Sequence, residues 1–201
     1  MKKSILSIVA AIAVAFSAQA QITDGKYILD FNKSTINWKA TKVTGAGHEG
    51  TIRVSSGVMN VAGKSINGKV KVDMNGIVCT DLQDAGKNAY LLNHLKGEDF
   101  FNTVKFPDAI FETTKITEAK GNDGTTHRVE GNLTIKGITK PVSFSAKITG
   151  GNGQIFIVGD LKVDRTQFDV KYGSTSFFDN LGDNAINNDF TLKFSLVGNK
   201  K

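Results

Sequence analysis

The chain has 201 residues, 40% of them hydrophobic and 22% charged, with a formal net charge of +6. That length suits one domain with a sizeable core, and its lysines are scattered rather than gathered into a run, so no nucleic-acid partner is expected. A lone cysteine, Cys79, excludes an internal disulfide and reads as a small buried hydrophobe rather than a reactive group.

The chain opens on Met1-Lys2-Lys3, continues with an apolar stretch from Ile5 to Phe16 and leaves it through the small-x-small exit Ala18-Gln19-Ala20. This is the pattern of a secretory signal cleaved after Ala20, and the apolar run falls short of the ~20 residues of a membrane span. The expectation is a signal over residues 1–20 and one mature domain over 21–201. Removing Lys2 and Lys3 lowers the formal charge from +6 to +4, mildly basic, which allows a modest attraction to acidic membrane surfaces.

From Lys26 onward apolar and polar residues alternate, the period of strands with one greasy and one wet face. Residues 26–31 place Tyr27, Leu29 and Phe31 together before a turn at Asn32-Lys33. Residues 35–44 follow, with Ile36 and Trp38 on one side, then 48–54, a turn at Ser55-Ser56-Gly57, and 58–61. After Gly63-Lys64, residues 66–74 present Ile66, Val70, Val72 and Met74 together. Residues 84–101 break the rhythm: Ala89, Leu92 and Lys96 lie three or four apart and Leu91 pairs with Leu95, a helical spacing. A short helix near residues 88–97 is expected, with Asp84 or Asn88 as its opening cap and Gly97 as its stop, acting as a lid or plug at a barrel mouth. Strands resume over 109–116, 126–135, 138–149 and 154–163, separated by glycine-bearing turns. Residues 165–188 read as irregular and polar, and 189–197 close the chain with Phe190, Leu192, Phe194 and Leu196 on one face. One shared greasy face along so many strands predicts an all-β fold, an antiparallel β-barrel of about eight strands, because closure removes exposed edges. Eight strands leave an interior just wide enough for one elongated ligand.

Several segments, in this order, carry a family resemblance: Tyr27, Asp30, Ser34, Ile36 and Trp38 at the start; His94-Leu95-Lys96-Gly97-Glu98-Asp99-Phe100-Phe101-Asn102; Phe106-Pro107-Asp108-Ala109-Ile110-Phe111; the run from Gly131 to Val142; and Asp164-Arg165-Thr166-Gln167-Phe168. Together they resemble the YceI-like family of exported proteins over nearly all of residues 21–201. The resemblance implies a lipocalin-like antiparallel barrel that binds long isoprenoid-type lipids in its interior, with no catalysis known for the family as a whole. With the leading signal it also implies a periplasmic protein. The sequence departs from the family pattern at Asp169, where a glycine usually follows Phe168, and in the asparagine-rich stretch from Ser174 to Asn188.

The ligand-binding candidates are the rings Phe31, Trp38, Phe111, Phe144, Phe190 and Phe194 on the greasy faces, with Phe100, Phe101 and Phe168 beside them, and Arg165. For each ring an ordinary place in a filled core is the competing reading. Phe100-Phe101 either gate entry of a tail or clamp the helix to the barrel. Arg165 either pairs with a carboxylate at the rim or meets a lipid phosphate or quinone oxygen, with Lys171 near by. Burying a methylene is worth ~0.8 kcal/mol, so a dozen carbons supply roughly 10 kcal/mol before the costs of ordering. His48 and His94 stand in no His-x-x-x-His or paired-cysteine pattern, so no metal ligand set is expected. No nucleophile elbow and no phosphate-binding glycine loop is present, so no catalytic residue and no cofactor is assigned. The reading is an exported carrier of a long-chain lipid, such as a polyisoprenoid or isoprenoid quinone, in transient contact with a membrane surface, with a homodimer left open. An enzyme acting on a lipid in the same barrel and an envelope stress protein with a filled barrel are the alternatives.

Overall fold

Alternating side chains fix which face of each strand turns inward, and the strand order then decides what that face encloses. The computed structural model describes residues 22–201, so the expected signal over 1–20 lies outside the described residues. The strands are β1 (Gly25–Leu29), β2 (Thr35–Lys42), β3 (Gly47–Ala62), β4 (Ser65–Cys79), β5 (Asp108–Glu118), β6 (His127–Ile135), β7 (Ile138–Gly151), β8 (Gln154–Asp164) and β9 (Ile186–Lys200), with helix α1 (Ala85–Lys96) between β4 and β5. From β3 each strand pairs antiparallel with the next as far as β9, apart from the helical excursion, and β2 joins β3 to β9 to close the ring. β1 and β2 lie one after the other between β3 and β9: Tyr27 faces Met59 and Lys200, and Trp38 faces Gly50 and Leu192. Nine strands therefore fill eight places in a closed antiparallel β-barrel.

The break between β1 and β2 corrects one expectation. The Asp30 carboxylate accepts the backbone N–H groups of Asn32 and Lys33 at 3.0 and 3.3 Å, a local turn that competes with strand geometry. Phe31 sits in this turn at 56% exposure and does not face the interior. Ser34 seals the break from inside by accepting the Val197 N–H at 3.1 Å.

A second correction concerns residues 55–57, which do not turn. β3 runs through them as one long strand, absorbing register shifts at Thr51/Arg53 and Val54/Ser56, as bulges do. Gly57 serves packing instead: a Cβ there would lie 2.3 Å from Leu29 Cδ1. The helix starts earlier than residue 88. Asp84 caps it by accepting the Lys87 N–H at 2.8 Å, while the Asn88 amide donates to the carbonyls of Cys79 and Leu82 and so fastens α1 to the end of β4.

Outward faces are polar and cross-linked. Lys69 pairs with Glu112 at 3.3 Å, Lys71 with Asp108 at 3.0 Å, and the Thr134 and Thr139 hydroxyls meet at 2.8 Å. The end of the barrel at which β1 meets the last residues of β9 is filled by Tyr27, Leu29, Val61, Ile66 and Ile155. The opposite, helical end carries α1 and the stretch from Arg165 to Asn188. No helix among the described residues is long and apolar enough to cross a membrane.

Candidate functional site

Above the solid end the barrel is hollow. The cavity there is about 190 Å³, somewhat larger than the ~150 Å³ that takes one benzene, so it has room for about eight carbons. Among the residues lining this space Arg165 alone is ionisable, and Thr113, Asn187 and the Trp38 indole carry the remaining polar side-chain atoms. The indole N–H is already committed to the Val78 carbonyl at 3.0 Å. Water in such a cavity would find almost no partners, so an apolar occupant is favoured over it.

The strands supply most of the expected rings. Phe111 of β5, Phe144 of β7 and Phe194 of β9 form a row, with centroids 5.5 Å and then 5.4 Å apart, in tilted and edge-to-face arrangements that suit aromatic quadrupoles. Trp38 and Phe190 line the space nearer the helical end. Phe100 and Phe101 enter it from the stretch after α1, and Phe101 meets Phe190 at 6.5 Å. Leu95 of α1 lines it as well and is buried, so α1 roofs the cavity. Phe100 is packed against Trp38, Ile77, Leu95 and Val170, the contacts of a clamp, while its position on the lining puts it within reach of an occupant.

Phe168 is buried but lies off the cavity wall. The pairing of β7 with β8 stops at Ala146 and Gly159, and Phe168, 1% exposed, packs with Leu133, Ile135, Leu161 and Val163 near the end where the two strands part. It is a plug in the wall, not part of the lining. The aliphatic lining, including Met74, Leu161 and Leu192, was missed as a site although the alternation placed Met74 and Leu192 inward; nothing local separates lining from filled core.

Arg165 is 3% exposed and meets no carboxylate. Its guanidinium donates to four backbone carbonyls: Nε to Asn187 at 3.1 Å, one terminal nitrogen to Val170 at 2.8 Å and Tyr172 at 2.9 Å, the other to Ile186 at 3.0 Å. The expected rim ion pair is thus replaced by a clasp that closes the loop from Val170 to Asn187 over the barrel. An arginine carries five donors, and these carbonyls take four of them. Burial pulls this guanidinium below its ordinary range, against the opposing charge of Asp164. Lys171, by contrast, is turned to Asp169 at 2.6 Å and does not line the cavity.

Asp169 explains the missing glycine. Its backbone is left-handed, φ 59° and ψ 29°, a conformation glycine adopts freely and aspartate tolerates better than most residues. Its carbonyl accepts the Lys136 ammonium at 2.9 Å. Near this loop the His94 ring stands between Phe100 and Tyr172, at 4.9 and 4.4 Å, and its Nε2 is buried without a hydrogen-bond partner.

The fold and the hollow define an antiparallel barrel with an apolar interior chamber roofed by a helix. The chain belongs to the YceI-like family, whose domain model matches residues 27–198. It is 31% identical over 189 residues to the UPF0312 protein of Vibrio parahaemolyticus, covering 89% of this chain and 95% of that one, and 29% identical over the same length to the UPF0312 protein of Vibrio campbellii. Among solved structures it is similar to BcnA of Burkholderia cenocepacia, with a TM-score of 0.67 at 22% identity, covering 84% of this chain and 98% of that one. It is also similar to a polyisoprenoid-binding domain from Saccharophagus degradans, with a TM-score of 0.61 at 14% identity, covering 89% of this chain and all of that one.

Proposed function

We propose that this protein is an exported carrier that shields the tail of an isoprenoid-type lipid inside its barrel, working in the periplasm. The observation that carries this reading is the apolar chamber itself, with Arg165 as its one ionisable lining residue. Membership of the YceI-like family and the likeness to a polyisoprenoid-binding domain support it. Room for about eight carbons corresponds to one to two isoprene units, and burying them is worth about 6 kcal/mol before association costs. A longer tail needs the side chains of the chamber to give way. No carboxylate, histidine or cysteine lines the chamber among the described residues.

The test is purification from a native-like host without detergent, lipid extraction and mass spectrometry. A lipid in near-stoichiometric amount with an isoprenoid fragmentation pattern is expected. Empty protein that also fails to bind added farnesol saturably would refute the carrier reading.

A further inference from the structure

Outside the chamber, three side chains that bind metals meet at the root of the helical lid. His48 lies near the start of β3, Cys79 is the last residue of β4, and Asp81 follows in the link to α1. Their donor atoms all lie within 4.8 Å of one another. His48 Nδ1 stands 3.0 Å from Asp81 Oδ2, and the Cys79 thiol donates to Asp81 Oδ1 at 3.1 Å. The Glu49 N–H donates to that same Oδ1 at 3.0 Å and fixes the carboxylate from behind. Strand pairing positions the set: Cys79 faces Gly50, and the Thr80 N–H reaches the Glu49 carbonyl at 2.9 Å.

We propose that His48, Cys79 and Asp81 form a binding site for a borderline-soft divalent cation of the zinc type. Imidazole, thiolate and carboxylate together are a zinc ligand set, whereas calcium and magnesium select oxygen donors. Zinc bonds of ordinary length at a tetrahedral angle separate nitrogen from oxygen by about 3.4 Å and sulfur from oxygen by about 3.6 Å. The observed 3.0 and 3.1 Å run to different oxygens of Asp81, and the donor atoms of the three residues lie within 4.8 Å of one another, so side-chain rotation has to bring them to these separations. On binding, the metal–sulfur bond replaces the sulfur–hydrogen bond and the thiol proton leaves to solvent.

The side chains of His48 and Asp81 are 40% and 31% exposed, so a cation can reach them from solvent. A depression bordered by Leu82, Asn88 and Leu92 reaches Cys79 from the other side. An occupied site would tie β3 and β4 to the link that leads into α1, the helix whose Leu95 roofs the chamber. Cation binding would then hold the lid down without touching the lipid.

The competing account is a hydrogen-bonded corner with no affinity for metal. Tag-free, chelator-treated, fully reduced protein is titrated with Co²⁺ and followed by absorption. One ion per chain is expected, with a thiolate-to-cobalt charge-transfer band that added Zn²⁺ abolishes. Cys79→Ser removes the band, and His48→Gln, at a half-exposed position that keeps the fold, weakens the affinity at least about tenfold. His127→Gln, remote from the site, leaves both unchanged. Absence of a charge-transfer band at millimolar Co²⁺ overturns the proposal, and so does a band whose affinity is the same in the folded His48→Gln variant.

Discussion

Ala109→Phe is the most direct way to ask whether an apolar ligand occupies the chamber. Ala109 of β5 is 6% exposed and lines the chamber, so a phenyl group added there enters the hollow and not solvent. Six ring carbons take most of the room for about eight carbons that the chamber offers. A farnesyl-length ligand then loses the burial of about six carbon groups, about 5 kcal/mol at ~0.8 kcal/mol each. At ~1.4 kcal/mol per factor of ten, that weakens binding about a thousandfold or more. Overpacking against Met74, Phe101 and Phe111 costs about 1–3 kcal/mol, partly offset by the contacts that a filled void gains, so the fold survives. The assay is displacement of the fluorescent apolar probe N-phenylnaphthylamine by farnesol, alongside thermal melting. Val158→Phe, at an outward position 47% exposed, is the matched control and leaves binding unchanged. If folded Ala109→Phe bound farnesol as tightly as the parent, the ligand would lie elsewhere and the argument from the chamber would fail.

Arg165→Met strips four carbonyls of their donor in a buried place, so a loss of about 3 kcal/mol or more in urea unfolding is expected, together with proteolytic cleavage within residues 170–188. Arg165→Lys rescues little, since an ammonium cannot span the fork. Gly131→Ala puts a Cβ 2.5 Å from both the Glu112 carbonyl oxygen and Phe111 Cζ; a loss of about 1–3 kcal/mol is expected by the same assay, with the Phe111–Phe144 contact displaced. His127 gives a pH dependence. Burial pulls its imidazole below the ordinary value, against the opposing charge of Glu118. The unfolded chain therefore takes up the proton first, and stability is full above about pH 6.5 and falls as pH drops below it. Urea midpoints at about pH 7.5 and pH 5 should differ less in His127→Gln than in the parent, and an equal difference in both proteins would remove His127 as the cause.

Alternation alone determined that this chain would form a closed antiparallel barrel, because a period of two assigns every strand residue to one of two faces and the greasy face must be enclosed. It also placed Trp38, Phe111, Phe144, Phe190 and Phe194 inward. It misplaced Phe31, because Asp30 has a local hydrogen-bonding alternative to the strand, and it read bulges at 55–57 as a turn, because a bulge and a turn use the same small polar residues. What tertiary structure decided is what distant segments do to one another. That the interior stays hollow at the helical end and solid at the other depends on how rings and aliphatics from different strands interlock, and no single strand encodes it. Arg165 gained four carbonyls from a loop whose path no local pattern fixes, and His48 met Cys79 and Asp81 only because β3 and β4 pair at that register. Burial faces are a property of neighbours along the chain; cavities, clasps and ligand sets are properties of neighbours in space.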